Sequence, residues 1–128
     1  MTHKVLIVDD NKGCSDLYKL RFEIEKWEVV VAFSAEEALE KVRQDYRPDI
    51  ILLDLMLPKM QGDELLKILK ADEKLKKIPV MILTAISFNP KDEDKTRGLA
   101  DDYQIKIEIT PQKLVQRATQ LIENTSRG

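Results

Sequence analysis

The segment from Ile50 to Leu53 is a run of four large apolar residues, and the acid Asp54 follows it directly. Asp49 precedes this run and Pro58 lies shortly after it. A short apolar run bounded by polar residues and Pro is typical of a strand that is buried on both faces. We therefore predict a central strand of a parallel sheet with Asp54 at its carboxyl end, which is where the sites of open α/β sheets form.

Four other short segments, rich in β-branched and aromatic residues, are predicted as strands. They are residues 5–8, 28–33, 79–83 and 103–105. Segments with helical spacing or helix-start signals lie between them. In the first of these segments, Leu17, Leu20 and Ile24 fall at helical spacing. The segment 91–97 is polar and has little to bury. Five strands alternating with five helices predict an α/β fold. We expect a doubly wound, five-stranded parallel sheet with the flavodoxin-like order 2-1-3-4-5 and helices on both faces.

The chain has 128 residues, which fits a single domain spanning 1–128, with a polar tail at 124–128 and no output domain. A net charge of −2 argues against a nucleic-acid partner within this chain. No apolar run is long enough to span a membrane, and a strand begins within a few residues of Met1. Cys14 is the single cysteine and excludes an internal disulfide. We expect a cytoplasmic protein.

Polar side chains with distinct chemistry follow the predicted strands: Asp9 and Asp10, then Asp54, Thr84 and Lys106. All would lie at one edge of a parallel sheet. Three carboxylates brought together repel one another, and a hard divalent cation such as Mg²⁺ relieves that repulsion. A carboxylate nucleophile, a metal, a lysine and a hydroxyl are the parts that phosphoryl transfer requires.

These residues stand in segments that resemble the response-regulator receiver domain of two-component signalling, the family of chemotaxis regulators. The resemblance covers nearly the whole chain. The matching segments, in chain order, are residues 8–11, 54–62, 83–85, 100–103 and Lys106.

The resemblance implies a role for each residue of the acidic edge. Asp54 would be the phosphoacceptor, taking phosphate from a phosphohistidine. Asp9 and Asp10 would bind Mg²⁺, directly or through water, together with Asp54 and the backbone carbonyl of Met56.

The resemblance also implies a switch. Thr84 would move toward the phosphoryl group and Lys106 would pair with it. Tyr103 would turn inward as Thr84 moves. A downstream protein would bind the face formed by the fourth predicted helix, the fifth strand and the last helix. The phosphodonor would be a sensor histidine kinase or a phosphotransfer protein. The chain would catalyse only its own phosphorylation and dephosphorylation, rather than act as an enzyme, and would be a monomer or a phosphorylation-dependent dimer.

The chain departs from the family pattern after Lys106, where Ile107 stands in place of the usual Pro. A cis bond before a residue other than Pro costs about 2.5–4 kcal/mol, so we predict a trans Lys106–Ile107 bond and a different path for the loop.

Three alternatives remain open from sequence. The first is a degenerate receiver that acts as a constitutive interaction module without phosphorylation. The second is a haloacid-dehalogenase-like phosphatase, although that family carries Asp-x-Asp on its first strand, and here Asp9 and Asp10 are adjacent. The third is a flavin binder on the same fold, but acids after the first strand would repel a phosphate.

Overall fold

The computed structural model describes residues 2–55, 62–85 and 99–127, and these residues build a five-stranded sheet covered by helices. Every pair of neighbouring strands is parallel, and the spatial order is β2-β1-β3-β4-β5. The predicted class and strand order are therefore confirmed. In chain order, the strands β1 to β5 are Lys4–Val8, Glu28–Ala32, Ile50–Leu53, Val80–Thr84 and Asp102–Ile105.

The helices described are α1 to α4, and a single 3-10 turn, Lys106–Glu108, connects β5 to α4. The predicted helix at 91–97, Met56 and the loop that follows it lie outside the described residues. In chain order the helices are Lys12–Ile24, Ala35–Arg43, Gly62–Ala71 and Pro111–Arg127.

The sheet separates two apolar cores, because successive residues of a strand point to opposite faces. From β1, Leu6 and Val8 face the core that includes residues of α2 and α3, while Val5 and Ile7 face the core beneath α1 and α4. Strands β3 and β4 are buried along their whole length. This explains why their sequences are continuous apolar runs rather than alternating ones.

Helix α1 is apolar on two opposite sides. Tyr18 and Phe22 are buried against the sheet. Leu17, Leu20 and Ile24, which carry the helical spacing in the sequence, are 52%, 58% and 56% exposed. At about 100° of rotation per residue, these three lie on the side of the helix facing away from Tyr18 and Phe22. The helix was predicted correctly, but the stripe that indicated it is the outer one.

The ends of α1 and α2 at the amino edge of the sheet are closed by residues with left-handed backbone. Lys26 has φ 70°, and its amide donates to the carbonyl of Glu23 while the Trp27 amide donates to that of Phe22. This is the Schellman arrangement of a helix end, in which Gly is usual. Asp45 holds the same place after α2, with φ 67°.

A buried ammonium ties together several segments at the same amino edge. Nζ of Lys70, whose side chain is 13% exposed, donates to the carbonyls of Lys76 and Ile78 and to Oδ2 of Asp101 at 3.0 Å. The same carboxylate oxygen accepts from the Val80 amide at 2.7 Å. The charged composition of residues 70–77 is typical of a solvated helix end, but the Lys70 side chain is largely enclosed.

The last helix extends further than predicted. We expected a polar tail at 124–128, but α4 includes this segment as far as Arg127. The segment contains no Gly or Pro that would end the helix, and Oγ1 of Thr125 donates to the carbonyl of Leu121. Among the residues described, no helix has the length and apolar character needed to cross a bilayer.

Candidate functional site

Strand register brings the acids of β1 and β3 together. Val8 of β1 is level with Leu53 of β3, so Asp9 and Asp54 leave adjacent strands at the same height. The Asp54 amide donates to the carbonyl of Val8, and the Asp9 amide donates to that of Ala32. Both backbones are thus held by the sheet up to the residue that carries the carboxylate.

Three carboxylates converge at this edge. One oxygen from each of Asp9, Asp10 and Asp54 lies within 4.8 Å of the other two. Asp9 and Asp54 are buried, whereas Asp10 is exposed. The cluster predicted from the strand ends is therefore present, with one face open to solvent.

Lys106 reaches this cluster from the end of β5, the outermost strand on that side of β3. Its Nζ lies 2.6 Å from Oδ2 of Asp9 and 3.1 Å from Oδ2 of Asp54, and its side chain is 8% exposed. Register explains the approach, because Ile105 of β5 is level with Thr84 of β4 and Lys106 follows directly. The lysine predicted from sequence is at the site although Ile107 replaces the usual Pro.

The acids decide the charge state of Lys106. Burial alone would lower the pKa of this amine. The hydrogen bond to Asp9, followed by the charges of Asp54 and Asp9, outweighs burial and raises the pKa above its usual value. Lys106 is therefore fully protonated at neutral pH. Three carboxylates and one ammonium give a formal charge of −2 (−3 + 1).

The turn from β1 into α1 fixes the other oxygen of Asp9. The Asn11 amide donates to Asp9 Oδ1 at 2.9 Å, and the Asn11 side chain in turn caps α1 by accepting from the Cys14 amide. A cap of this kind satisfies one of the free amides at a helix start. Asp9 is thus held at both oxygens, by Lys106 and by the capped turn.

Gly62 lies at the site, and the sequence alone did not reveal why glycine is required there. A Cβ placed on Gly62 would overlap the carbonyl oxygen of Asp54 and lie 2.7 Å from Cα of Leu55. The Gly62 amide donates to the carbonyl of Leu55. The start of α3 therefore packs directly on the backbone of the predicted phosphoacceptor, and any larger residue would displace it.

Tyr18 is a second residue that the sequence analysis did not single out. It is buried in the core beneath α1, and burial raises its pKa to about 12. Smaller contributions come from Cys14 and from the charges of Lys106, Asp9 and Asp54. Its position in α1, four residues before Phe22 of the same core, was a signal that it faces inward.

The remaining predicted residues have defined places. Thr84 ends β4, fully buried, beside the strand that carries Lys106. Tyr103 is half-buried in β5 and packs against the core shared by α2 and α3. The described residues contain no cis peptide bond, which confirms the trans Lys106–Ile107 bond. The Ile107 side chain is 87% exposed in the 3-10 turn.

Asp101 and Asp102 do not join the acidic cluster. Asp101 pairs with Lys70 at the opposite edge. Asp102 accepts from Arg117 Nε at 2.7 Å and from Gln104. Burial acts to raise the pKa of Asp102, but these hydrogen bonds prevail and lower it. Both acids therefore hold β5 in the fold.

The donor set fits a small hard cation. Carboxylate oxygens are the ligands that Mg²⁺ prefers, and Mg²⁺ commonly keeps several waters. Asp10 gives the cluster an open side for such waters, and the charge of −2 left after Lys106 pairing favours a divalent ion. Met56, whose carbonyl was a predicted ligand, lies outside the described residues.

Comparison with known proteins gives one consistent family. The family model for the response regulator receiver domain matches residues 5–119. The chain is 40% identical over 111 residues to the alkaline phosphatase synthesis transcriptional regulatory protein PhoP of Bacillus subtilis, covering 83% of this chain and 43% of that protein. The chain thus spans less than half of that relative. It is 37% identical to the polar-differentiation response regulator DivK of Brucella ovis, covering 80% of this chain and 83% of DivK.

Solved structures agree with this result. A putative response regulator from Chloroflexus aurantiacus superimposes with a TM-score of 0.86 at 30% identity, covering 96% of this chain and 99% of the other. The chemotaxis response regulator CheY4 of Vibrio cholerae superimposes with a TM-score of 0.84 at 26% identity, covering 94% and 99%.

Proposed function

Because this chain belongs to the response regulator receiver domain family, we propose that it accepts a phosphoryl group on Asp54 in a Mg²⁺-dependent reaction. The observation that carries the proposal is the contact of one buried ammonium with two of three clustered carboxylates, Asp9 and Asp54, at distances of 2.6 and 3.1 Å. The donor would be a phosphohistidine on a sensor kinase or a phosphotransfer protein.

Asp54 is the nucleophile in this proposal. One of its carboxylate oxygens forms a bond to phosphorus, and the bond from phosphorus to the donor's imidazole nitrogen breaks. The electron pair of that bond stays on the imidazole, so the product on this chain is an acyl phosphate. Gly62 supports the reaction by packing against the Asp54 carbonyl, which fixes the carboxylate at the end of β3.

Lys106 and Thr84 bind the oxygens of the transferred group. The Lys106 ammonium already contacts Asp54, so it stands where charge develops on an oxygen of the phosphoryl group. Thr84 offers a hydroxyl that donates a hydrogen bond to another oxygen. Positioning and counter-charge supply most of the catalysis in reactions of this kind.

Asp9, Asp10 and Asp54 would hold Mg²⁺, with the Met56 carbonyl as a further ligand. Bound there, Mg²⁺ neutralises the negative charge shared by the carboxylates and the incoming phosphoryl group. The burial of Asp9 and the hydrogen bonds to both of its carboxylate oxygens support this part of the proposal.

The output would be a change in protein binding rather than turnover of a separate substrate. Thr84 and Tyr103 lie on neighbouring strands, and their predicted movement would alter the face that includes β5 and α4. A downstream protein would bind that face in the cytoplasm. Catalysis by this chain would be limited to its own phosphorylation and dephosphorylation.

The test is intact-mass measurement after incubation with Mg²⁺ and acetyl phosphate. We expect the wild type to gain one phosphoryl group and Asp54→Asn to gain none. Removal of Mg²⁺ with a chelator should abolish the gain in the wild type. Asp16→Asn is the matched control, because Asp16 is an exposed acid on α1 outside the cluster.

Two results would contradict the proposal. If the wild type gains no mass at any Mg²⁺ concentration, the chain is a degenerate receiver that acts without phosphorylation. If Asp54→Asn gains the same mass as the wild type, another residue is the acceptor.

A further inference from the structure

The outer edge of β2 presents backbone groups that no described residue pairs with. β2 is the outermost strand on its side of the sheet and pairs only with β1. The Glu28 amide donates to β1, and the Ala32 carbonyl accepts from the Asp9 amide. Because alternate residues of a strand turn their backbone groups to opposite sides, Val29 and Val31 turn their N–H and C=O groups outward.

β2 lacks the features that usually protect an exposed edge strand. Such strands are commonly very short or bulged, or they carry Lys or Pro. β2 is five residues long, in unbroken register with β1, and three consecutive valines fill its middle. Its one charged residue, Glu28, is the first. At the opposite edge, β5 carries Asp102 and Gln104, which are hydrogen-bonded to each other. The edge of β2 is therefore the one suited to pairing with a further strand.

The neighbours of the two outward residues limit the register of such pairing. The Trp27 amide is already used in closing the end of α1. The Phe33 amide donates to Oε2 of Glu37 at 3.0 Å. A strand added to this edge therefore finds complete pairs of free N–H and C=O groups only at two positions, which are two residues apart.

A second copy of β2, running antiparallel, matches these two positions. With a two-fold axis through Val30, Val29 of each copy lies opposite Val31 of the other. Residues opposite each other in this way exchange both of their N–H···O bonds, so every outward group of the two residues gains a partner. A register shifted by two residues would oppose Val29 to Phe33 or Val31 to Trp27, whose amides are already bonded.

Side chains and charges at the ends of β2 favour the same arrangement. Phe33, which is 43% exposed, would lie opposite Trp27 of the other copy and lose contact with water there. The antiparallel direction also brings the exposed Lys26 of one copy to the end where the other presents the exposed Glu36. In a parallel pair, Lys26 would meet Lys26.

We propose that the outer edge of β2 pairs with that of a second copy of the chain, antiparallel and with Val29 opposite Val31, so that the two sheets form one continuous sheet. The surface is self-complementary, as a two-fold interface must be. It includes neither Asp54 nor Lys106, so it does not rest on the proposed phosphorylation. One short strand from each copy makes a small interface, and we expect a weak dimer that depends on protein concentration.

Sedimentation equilibrium over a range of protein concentrations tests the proposal. We expect a monomer–dimer equilibrium for the wild type and a dissociation constant raised roughly tenfold or more by Val31→Pro. Pro is tolerated in an edge strand where its N–H position faces solvent, so the pairing of β2 with β1 should survive, which circular dichroism checks. Leu20→Lys, at an exposed apolar residue of α1, is the matched control and should leave the equilibrium unchanged.

Phe33→Lys is a second variant, at a position outside the core, for which folding is not at risk. It should raise the dissociation constant by roughly threefold to tenfold.

Amide hydrogen exchange tests the edge without any substitution. The amides of Val29 and Val31 should exchange more slowly as the protein concentration rises. The Val30 amide, which faces β1, should exchange at a rate that depends much less on concentration.

Cross-linking tests the register. In the proposed dimer, Val30 lies opposite Val30, with Cα atoms about 4.5 Å apart, which suits a disulfide. Oxidation of Val30→Cys in a Cys14→Ser background should therefore join two copies. Glu28→Cys in the same background is the control, because the two copies of position 28 would lie about 13 Å apart.

Any of four outcomes would overturn the proposal. These are a wild type that stays monomeric at millimolar concentration, a dimer that is equally tight in Val31→Pro and Phe33→Lys, a dimer that is lost in Leu20→Lys, and a cross-link that forms as readily at position 28 as at position 30.

Discussion

Two buried lysines lie at opposite edges of the sheet, and their surroundings differ in one respect. At the amino edge, Lys70 meets one carboxylate, Asp101, and two backbone carbonyls, so its three N–H donors are matched and the charge sums to zero. At the carboxyl edge, Lys106 meets Asp9 and Asp54, with Asp10 beside them, and the charge sums to −2.

The difference separates a structural cluster from a functional one. A balanced cluster holds segments together and needs nothing further. A cluster with surplus negative charge is costly for the folded chain, because its like charges repel one another. Such a cost is expected where a ligand restores the balance, and this supports our proposal that the carboxyl edge binds a divalent cation and a phosphoryl group.

We expect the largest effect from removing the charge of Lys70. In Lys70→Met the Asp101 carboxylate and two carbonyls lose their donor, and we expect the free energy of unfolding to fall by about 2–3 kcal/mol. Urea denaturation measures it. Lys67→Met, at an exposed position of the same helix, should change stability little. A Lys70→Met protein as stable as the wild type would mean that the amino edge is not held by this contact.

Gly62→Ala tests the carboxyl edge. The added Cβ would press on the Asp54 carbonyl and Leu55 Cα, and we expect a loss of about 1–3 kcal/mol in stability. Phosphorylation of the folded protein should also slow, since Asp54 is displaced. Mass spectrometry under conditions where the variant is fully folded separates the two effects. Normal phosphorylation in a folded Gly62→Ala protein would show that the contact does not position the carboxylate.

Alkaline pH tests the burial of Tyr18 beneath the site. The folded pKa of about 12 lies above the unfolded value of about 10, so the contribution to stability is complete below pH 10 and is lost as the pH rises toward 12. We expect Tyr18→Phe to remove about 2 kcal/mol of this loss. Urea denaturation at pH 8 and at pH 11.5 (roughly midway in the upper part of that window) measures it. If the free energy of unfolding falls by the same amount between these two pH values in the wild type and in Tyr18→Phe, the burial argument is contradicted.

Removing one acid should have opposite effects at the two edges. Without metal, Asp10→Asn relieves repulsion in the cluster and should raise thermal stability slightly, whereas Asp101→Asn should lower it. Addition of Mg²⁺ should stabilise the wild type and Asp101→Asn, but much less so Asp10→Asn. Melting temperatures with Mg²⁺ and with a chelator measure these effects. Equal stabilisation of all three proteins by Mg²⁺ would place the ion elsewhere.

The smallest expected effect is at the helix ends of the amino edge. Lys26→Gly and Asp45→Gly place glycine at positions with φ of 70° and 67°, and each should raise stability by about 0.5–1 kcal/mol. Phosphorylation should be unchanged, because both residues lie far from Asp54 along the strands. A stabilised variant with altered phosphorylation would show that the two edges are coupled.

The fold and the acidic cluster were predictable because apolar runs and strand ends indicate them even when a strand boundary is misplaced by one residue. Apolar runs mark the buried strands, and a residue that ends a strand of a parallel sheet falls at the carboxyl edge even if the boundary moves by one position. Asp9, Asp54 and Lys106 were identified in this way, and their contacts agree with it.

The rest depends on contacts between residues far apart in the chain. Periodicity predicted α1 but not which of its two apolar stripes, Leu17 to Ile24 or Tyr18 with Phe22, faces the sheet. The pair Lys70 and Asp101 is 31 positions apart and carries no local signal. The requirement for Gly62 arises from the approach of α3 to Asp54, which only the folded chain reveals.

The most direct test of the central claim is to locate the phosphoryl group itself. Borohydride reduces an aspartyl phosphate to homoserine, and peptide mass mapping then identifies the modified position. After incubation with acetyl phosphate, we predict homoserine at position 54 when Mg²⁺ is present and none when it is chelated. Homoserine at another aspartate, or its absence with Mg²⁺ present, would contradict the assignment of Asp54 as the phosphoacceptor.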